Sequence, residues 1–161
     1  MKTVFKIIEE AGGLTNAECI SVENEPWMRL VIEMLPERGP DGHVVVSVAH
    51  YGEQNGDPMR DPEMLFEVVE EVGKEPEFWP FYFRNDYAAV EQWSRRRDEA
   101  GNLHSLPKRT HDFEQFAKLW TETCVSKDSS KRSGDERAAR LSCSRTVMRD
   151  EGDDNAGTEQ C

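Results

Sequence analysis

The sequence has no C-x-x-C pair. Its four cysteines, Cys19, Cys124, Cys143 and Cys161, stand far apart, so neither a zinc knuckle nor a thioredoxin-type redox pair is encoded. Scattered thiols of this kind predict reduced cysteines in a reducing compartment. No run of about 18 apolar residues occurs, which predicts that no helix crosses a membrane. The opening residues, MKTVFKIIEEAGG, carry acids and no long apolar run, unlike a secretory signal. The expectation is a soluble, cytoplasmic protein. There is no G-x-S-x-G turn, no Gly-rich phosphate loop, no H-E-x-x-H and no EF-hand spacing. With those patterns missing, the sequence points to no catalytic residue, no cofactor and no metal.

Apolar residues are also scarce. The hydrophobic fraction is 37% and mean hydropathy is -0.75, low for a chain packed from end to end. The shortage is local. From Ser126 onward there is no aromatic residue, and such a composition cannot bury enough apolar surface to offset chain ordering. The reading is one domain over residues 1–125 and a disordered polar tail over 126–161. Bases are outnumbered too, giving a net charge of -12. Residues 1–126 hold 24 of the 32 acids but 13 of the 20 bases. The folded part is the acidic part. It repels phosphate backbones, which argues against direct nucleic-acid binding and leaves room for a basic protein partner.

What is present is periodic. Val4, Ile7, Ile8 and Ala11 fall at helical spacing, and Gly12-Gly13 closes that helix. In WMRLVIEML, from Trp27 to Leu35, the residues Met28, Leu30, Ile32 and Met34 alternate with Arg29 and Glu33, as in a half-buried strand. PERGPDG reads as a turn-rich link, and HVVVSVAHY, from His43 to Tyr51, as the partner strand. Met64, Phe66 and Val68 share one face of a further strand. Phe78, Trp79, Phe81, Tyr82 and Phe83 read as sheet core, with Pro80 marking an edge or a bulge. Tyr87 to Arg97 reads as a strand, and DEAGN as a hairpin turn into LHSL. Arg95-Arg96-Arg97 reads as a solvated patch beside that turn. His104 and His111, around Lys108-Arg109, are too loosely spaced for a metal. Phe113, Phe116, Ala117 and Trp120 make one stripe of a last helix, capped by Thr110 or Asp112, with acids in its first turn. The fold expected is α+β: an antiparallel sheet of about five strands, with an N-terminal and a C-terminal helix packed on one face.

The densest polar stretch is HYGEQNGDPMRDPE, from His50 to Glu63. Asn55-Gly56 is a hairpin turn signal. Asp57-Pro58 and Asp61-Pro62 add two bends, and Arg60 has Asp57, Asp61 and Glu63 within reach. An internally bonded turn uses most of these groups. The alternative is a recognition loop formed by His50, Tyr51, Glu53, Gln54, Asn55, Asp57, Arg60, Asp61 and Glu63. A metal-dependent hydrolase built on the same residues is a further reading. A second candidate surface is the acidic set Glu67, Glu70, Glu71, Glu75 and Glu77, which would suit an acidic mimic of nucleic acid that inhibits a defence enzyme.

The string HYGEQNGDPMRDPEM resembles a small uncharacterised domain-of-unknown-function family of bacterial and archaeal genomes and mobile elements. The residues that carry the resemblance are His50, Tyr51, Glu53 to Asp57 and Met59 to Glu63. Arg84-Asn85-Asp86, Val90-Glu91-Gln92, and Phe116 with Trp120 follow. It covers about residues 27–123 and departs at Gly52, where an aromatic is common, and at Pro58. The resemblance implies a mobile-element context and no activity, and it carries over no catalytic residue. The function expected is that of a non-enzymatic intracellular accessory protein working through protein contacts.

Overall fold

A computed structural model of the chain describes residues 1–13, 19–22 and 28–125. Trp27 and the segment 126–161, read above as strand start and tail, lie outside the described residues. The order is α1 (Lys2–Glu10), β1 (Cys19–Val22), β2 (Arg29–Arg38), β3 (Val44–Gln54), β4 (Asp57–Val69), β5 (Glu77–Asn85), β6 (Val90–Trp93), β7 (Arg95–Arg97), β8 (Leu103–Ser105) and α2 (Pro107–Val125). The fold is α+β. Strands β1 to β6 form one antiparallel sheet in sequence order, and β7 pairs with β8 in a separate two-stranded hairpin. Among the described residues the expected sheet of about five strands has six, with a small ribbon beside it.

Alternation along the strands sorts the side chains. Leu30, Ile32, Val46, Val48, Met64, Phe66 and Val68 lie on one face. There they meet Val4 and Ile8 of α1 and Phe113 and Ala117 of α2, and all are buried. Both helices therefore cover the same face, as the apolar spacing predicts. The other face holds a smaller cluster of Val45, Phe81 and Tyr82, with Leu35 and Leu65 against it. Pro80 coincides with a register shift. Leu65 faces Tyr82 while Phe66 faces Pro80, so Phe81 is the extra residue of a bulge.

Several sequence readings need correction. The link PERGPDG is shorter than expected, because β2 runs to Arg38 and the turn is confined to residues 39–43. Tyr87 is not in a strand. Residues 86–89 form a turn closed by the Ala89 N–H on the Asp86 carbonyl, and β6 starts at Val90. Helix α2 begins at Pro107, before Thr110 and Asp112, with no acid in its first turn. Proline is at home there, since its missing N–H falls where the helix has no acceptor. Thr110 donates its hydroxyl to the Leu106 carbonyl at 3.4 Å instead of capping the helix.

Candidate functional site

The stretch from His50 to Glu63 is a long β-hairpin, not a loop between strands. β3 continues to Gln54 and β4 begins at Asp57. The tip is the two-residue turn Asn55-Gly56, with φ of 56° and 90°. Both residues take positive φ, as a type I′ turn requires. Both Pro58 and Pro62 sit inside β4, Pro58 in the regular ladder and Pro62 at a bulge. Ala49 faces Glu63 while Tyr51 faces Arg60, so Asp61 and Pro62 oppose His50 alone. That bulge marks where the hairpin leaves the body of the sheet.

Long-range contacts hold the hairpin base. The Arg60 N–H donates to Asp86 Oδ2 at 2.9 Å, and the Asp86 N–H donates back to the Arg60 carbonyl at 2.9 Å. The Arg60 guanidinium lies 3.6 Å from Asp86 Oδ2, and its Nε lies 2.9 Å from Glu63 Oε2, close but off the line of a hydrogen bond. Arg84 Nε donates to Asp86 Oδ1 at 2.6 Å. Burial opposes the Asp86 charge, but the Arg60 N–H and Arg84 outweigh it and hold this carboxyl below its ordinary range. Glu63 accepts a hydrogen bond from Ser47 Oγ at 2.9 Å. Asn85 Nδ2 donates to Asp61 Oδ1 at 2.5 Å. Arg60 is thus paired with Glu63 as expected, but its other partner is Asp86, not Asp57 or Asp61.

A second clasp lies nearer the tip. The Tyr87 hydroxyl donates to the Glu53 carbonyl at 3.3 Å. A Cβ on Gly52 would stand 2.6 Å from that hydroxyl and 3.0 Å from Met28 Sδ. Glycine at 52 is therefore what lets Tyr87 and Met28 close on the hairpin.

The candidate recognition residues separate into three environments. His50 is 5% exposed and faces the helices, edge-to-face with Trp120 at 5.3 Å. Its Nε2 is buried, with no hydrogen-bond partner among the described residues. Burial lowers its pKa, against a weaker opposing effect of Asp61. Tyr51, Arg60, Asp61 and Glu63 are partly buried at the base. Burial, and then the Glu63 charge, raise the Tyr51 pKa. Only Glu53, Gln54, Asn55 and Asp57 are exposed, with Gly56 and Pro58, at the tip. His50 therefore does not converge with the tip carboxylates as a hydrolase would need. Among the described residues, no group of three or more His, Cys, Asp or Glu side chains is placed to hold a metal.

The acidic candidate surface also changes. Glu67 is 0% exposed. Its Oε1 accepts the Asp41 N–H at 2.7 Å and the His43 N–H at 3.4 Å, and its Oε2 lies 3.1 Å from Arg95 Nη2. Arg95 also pairs with Asp41, so it is not a solvated patch residue. Glu70, Glu71, Glu75 and Glu77 remain exposed, with Glu71 bound to Lys74 at 2.5 Å.

Asp86, Tyr87 and Ser47 are not among the candidate site residues read from the sequence, although all three hold this site together. The run Arg84-Asn85-Asp86 was the one available signal for Asp86. A family profile described as "Domain of unknown function (DUF6908)" matches residues 2–126. The chain belongs to the DUF6908 family. Comparison with curated proteins and with solved structures gave no match. Among the described residues, no helix is long and apolar enough to cross a membrane.

Proposed function

We propose that this DUF6908 domain is a non-catalytic interaction module that presents the tip of its β3–β4 hairpin to a protein partner. The carrying observation is the contrast along that hairpin. Residues 53–58 are all exposed, while the base is tied down by Arg60, Glu63, Asp86 and Tyr87. A rigid base lowers the ordering cost of binding, which favours a surface used for recognition. Glu53 and Asp57 give the tip two carboxylates, which suits a partner with a basic patch. An intracellular accessory role in a mobile-element setting belongs to the same proposal and rests on the resemblance of the central string. The nucleic-acid mimic is the weaker reading, since the burial of Glu67 takes one carboxylate out of its acidic set.

A photo-crosslinking residue at Gln54, in the full chain expressed in its host cell, tests this. The expected result is one dominant crosslinked protein. Glu53→Lys with Asp57→Lys should remove that product and weaken the reconstituted complex at least about tenfold, with melting unchanged. A product that survives the charge reversal, or no product at all, would sink the proposal.

A further inference from the structure

The sheet ends opposite the hairpin tip at a surface of different chemistry. Five of the 13 bases in residues 1–126, Arg95, Arg96, Arg97, Lys108 and Arg109, fall within 15 positions. The fold joins the two ends of that segment: the Leu106 N–H donates to the Ser94 carbonyl at 2.8 Å, and Arg109 Nη1 to the Trp93 carbonyl at 3.2 Å. Alternation in β7 gives the three arginines different tasks. Arg95 turns to Glu67 and Asp41, and Arg97 Nε donates to the Pro40 carbonyl at 2.6 Å. Arg96 points the other way, opposite His104 on β8. It is exposed, with no partner among the described residues. A cleft of about 270 Å³ opens at this hairpin, with Trp93 and Leu106 as its apolar lining and Arg96 and His104 among its polar lining, beside Arg95 and Ser105. Trp93 is 36% exposed and Leu106 51%.

We infer that the outer side of the β7–β8 hairpin docks an acidic peptide segment of a protein partner. An apolar side chain of the peptide lies on Trp93 and Leu106, and its flanking carboxylates meet Arg96 and Lys108. Charge selects this place, because the rest of the domain carries the acids and repels an anionic chain. Tryptophan and arginine are also among the residue types enriched at the energetic centres of interfaces. A nucleic acid fits less well. Its phosphates need a continuous cationic track, and Asp98 and Glu99 interrupt the bases on this hairpin. Asp98 stays charged: the His104 ring nitrogen at 2.8 Å and the Asn102 amide depress its pKa.

The inference is independent of the hairpin-tip proposal, and so is its test. A fluorescein-labelled Asp/Glu-rich peptide with one central leucine is titrated with the full chain by fluorescence anisotropy. A single-stranded oligonucleotide of equal charge is titrated in parallel. Binding of the peptide, weakened at least about tenfold by Arg96→Glu with Lys108→Glu, is expected. The control Lys118→Glu, on the same helix, should leave it intact, as should Glu53→Lys with Asp57→Lys. Circular dichroism and melting should match the parent for each variant. No binding, equal loss with Lys118→Glu, or tighter binding of the oligonucleotide than of the peptide would each overturn the inference.

Discussion

Arg60 and His50 are close in sequence and opposite in situation. Arg60 is one-third exposed, yet its charge sits between two carboxylates that are mostly covered. Arg60→Ala removes the cation beside Glu63 and leaves Asp86 with Arg84 as its one charged partner among those described. The expected cost is about 1–3 kcal/mol, read as a fall in the urea midpoint with unchanged slope. A cost under about 0.5 kcal/mol would mean that the base of the hairpin is held by its backbone bonds alone. His50 has no cation to lose, since burial keeps its ring neutral. Its folded pKa lies below the unfolded value of about 6.5. The unfolded chain therefore takes up a proton first as pH falls. His50 contributes full stability above that value and loses it as pH drops toward the folded pKa. The parent should melt progressively lower below about pH 6.5, and His50→Phe should lack that part of the slope. An identical pH dependence in the variant would show that the ring is protonated or solvated in the fold.

The β7–β8 hairpin shows what one buried ion pair does for an element. Three residues per strand cannot stand alone. They are held by Ser94, whose N–H donates to the Phe81 carbonyl at 2.9 Å, and by the reach of Arg95 and Arg97 to the β2–β3 turn. Arg95→Met strands the Glu67 charge in the interior at an expected cost of about 3–5 kcal/mol, while Arg95→Met with Glu67→Leu should recover most of it. Chemical denaturation of the three proteins checks this. A double variant as unstable as the single one would put the cost in the lost Asp41 contact. On α2 the apolar stripe divides in the same spirit. Phe113 and Ala117 are buried, Trp120 is half-buried against His50, and Phe116 lies at the rim, stacked on Trp120 and edge-to-face with Phe83. Trp120→Ala should cost about 2–4 kcal/mol and Phe116→Ala about 1 kcal/mol. Equal costs would place both rings in one continuous core. The stripe was legible in the sequence because helical spacing is local. Its depth was not, because burial depends on which strand the helix meets.

The same division holds for the whole molecule. Local periodicity showed the α+β class, both helices on one face and the aromatic sheet strand, and local turn chemistry showed the Asn55-Gly56 turn. What it could not show joins residues far apart in the chain. Glu67 looks like its exposed neighbours Glu70 and Glu71 until Arg95 and the Asp41 backbone are brought to it, and Arg60 cannot name Asp86 as its partner from position alone. Among the described residues the long-range pairs are few and mostly shielded, whereas the charge is one-sided: residues 1–126 carry 24 acids against 13 bases. Two electrostatic effects therefore oppose each other as salt is added. Screening weakens the attractive pairs only slightly, because they are partly buried, and it relieves the repulsion among surface carboxylates strongly. The net sign follows from that asymmetry: raising ionic strength from about 20 mM to about 200 mM, where the Debye length shrinks to several ångströms, should raise the melting temperature. Potassium chloride and sodium chloride should act alike, since the effect needs no specific site. A melting temperature that falls over this range would mean that exposed ion pairs such as Lys74–Glu71 dominate the electrostatics, and that the excess acids lie too far apart to repel.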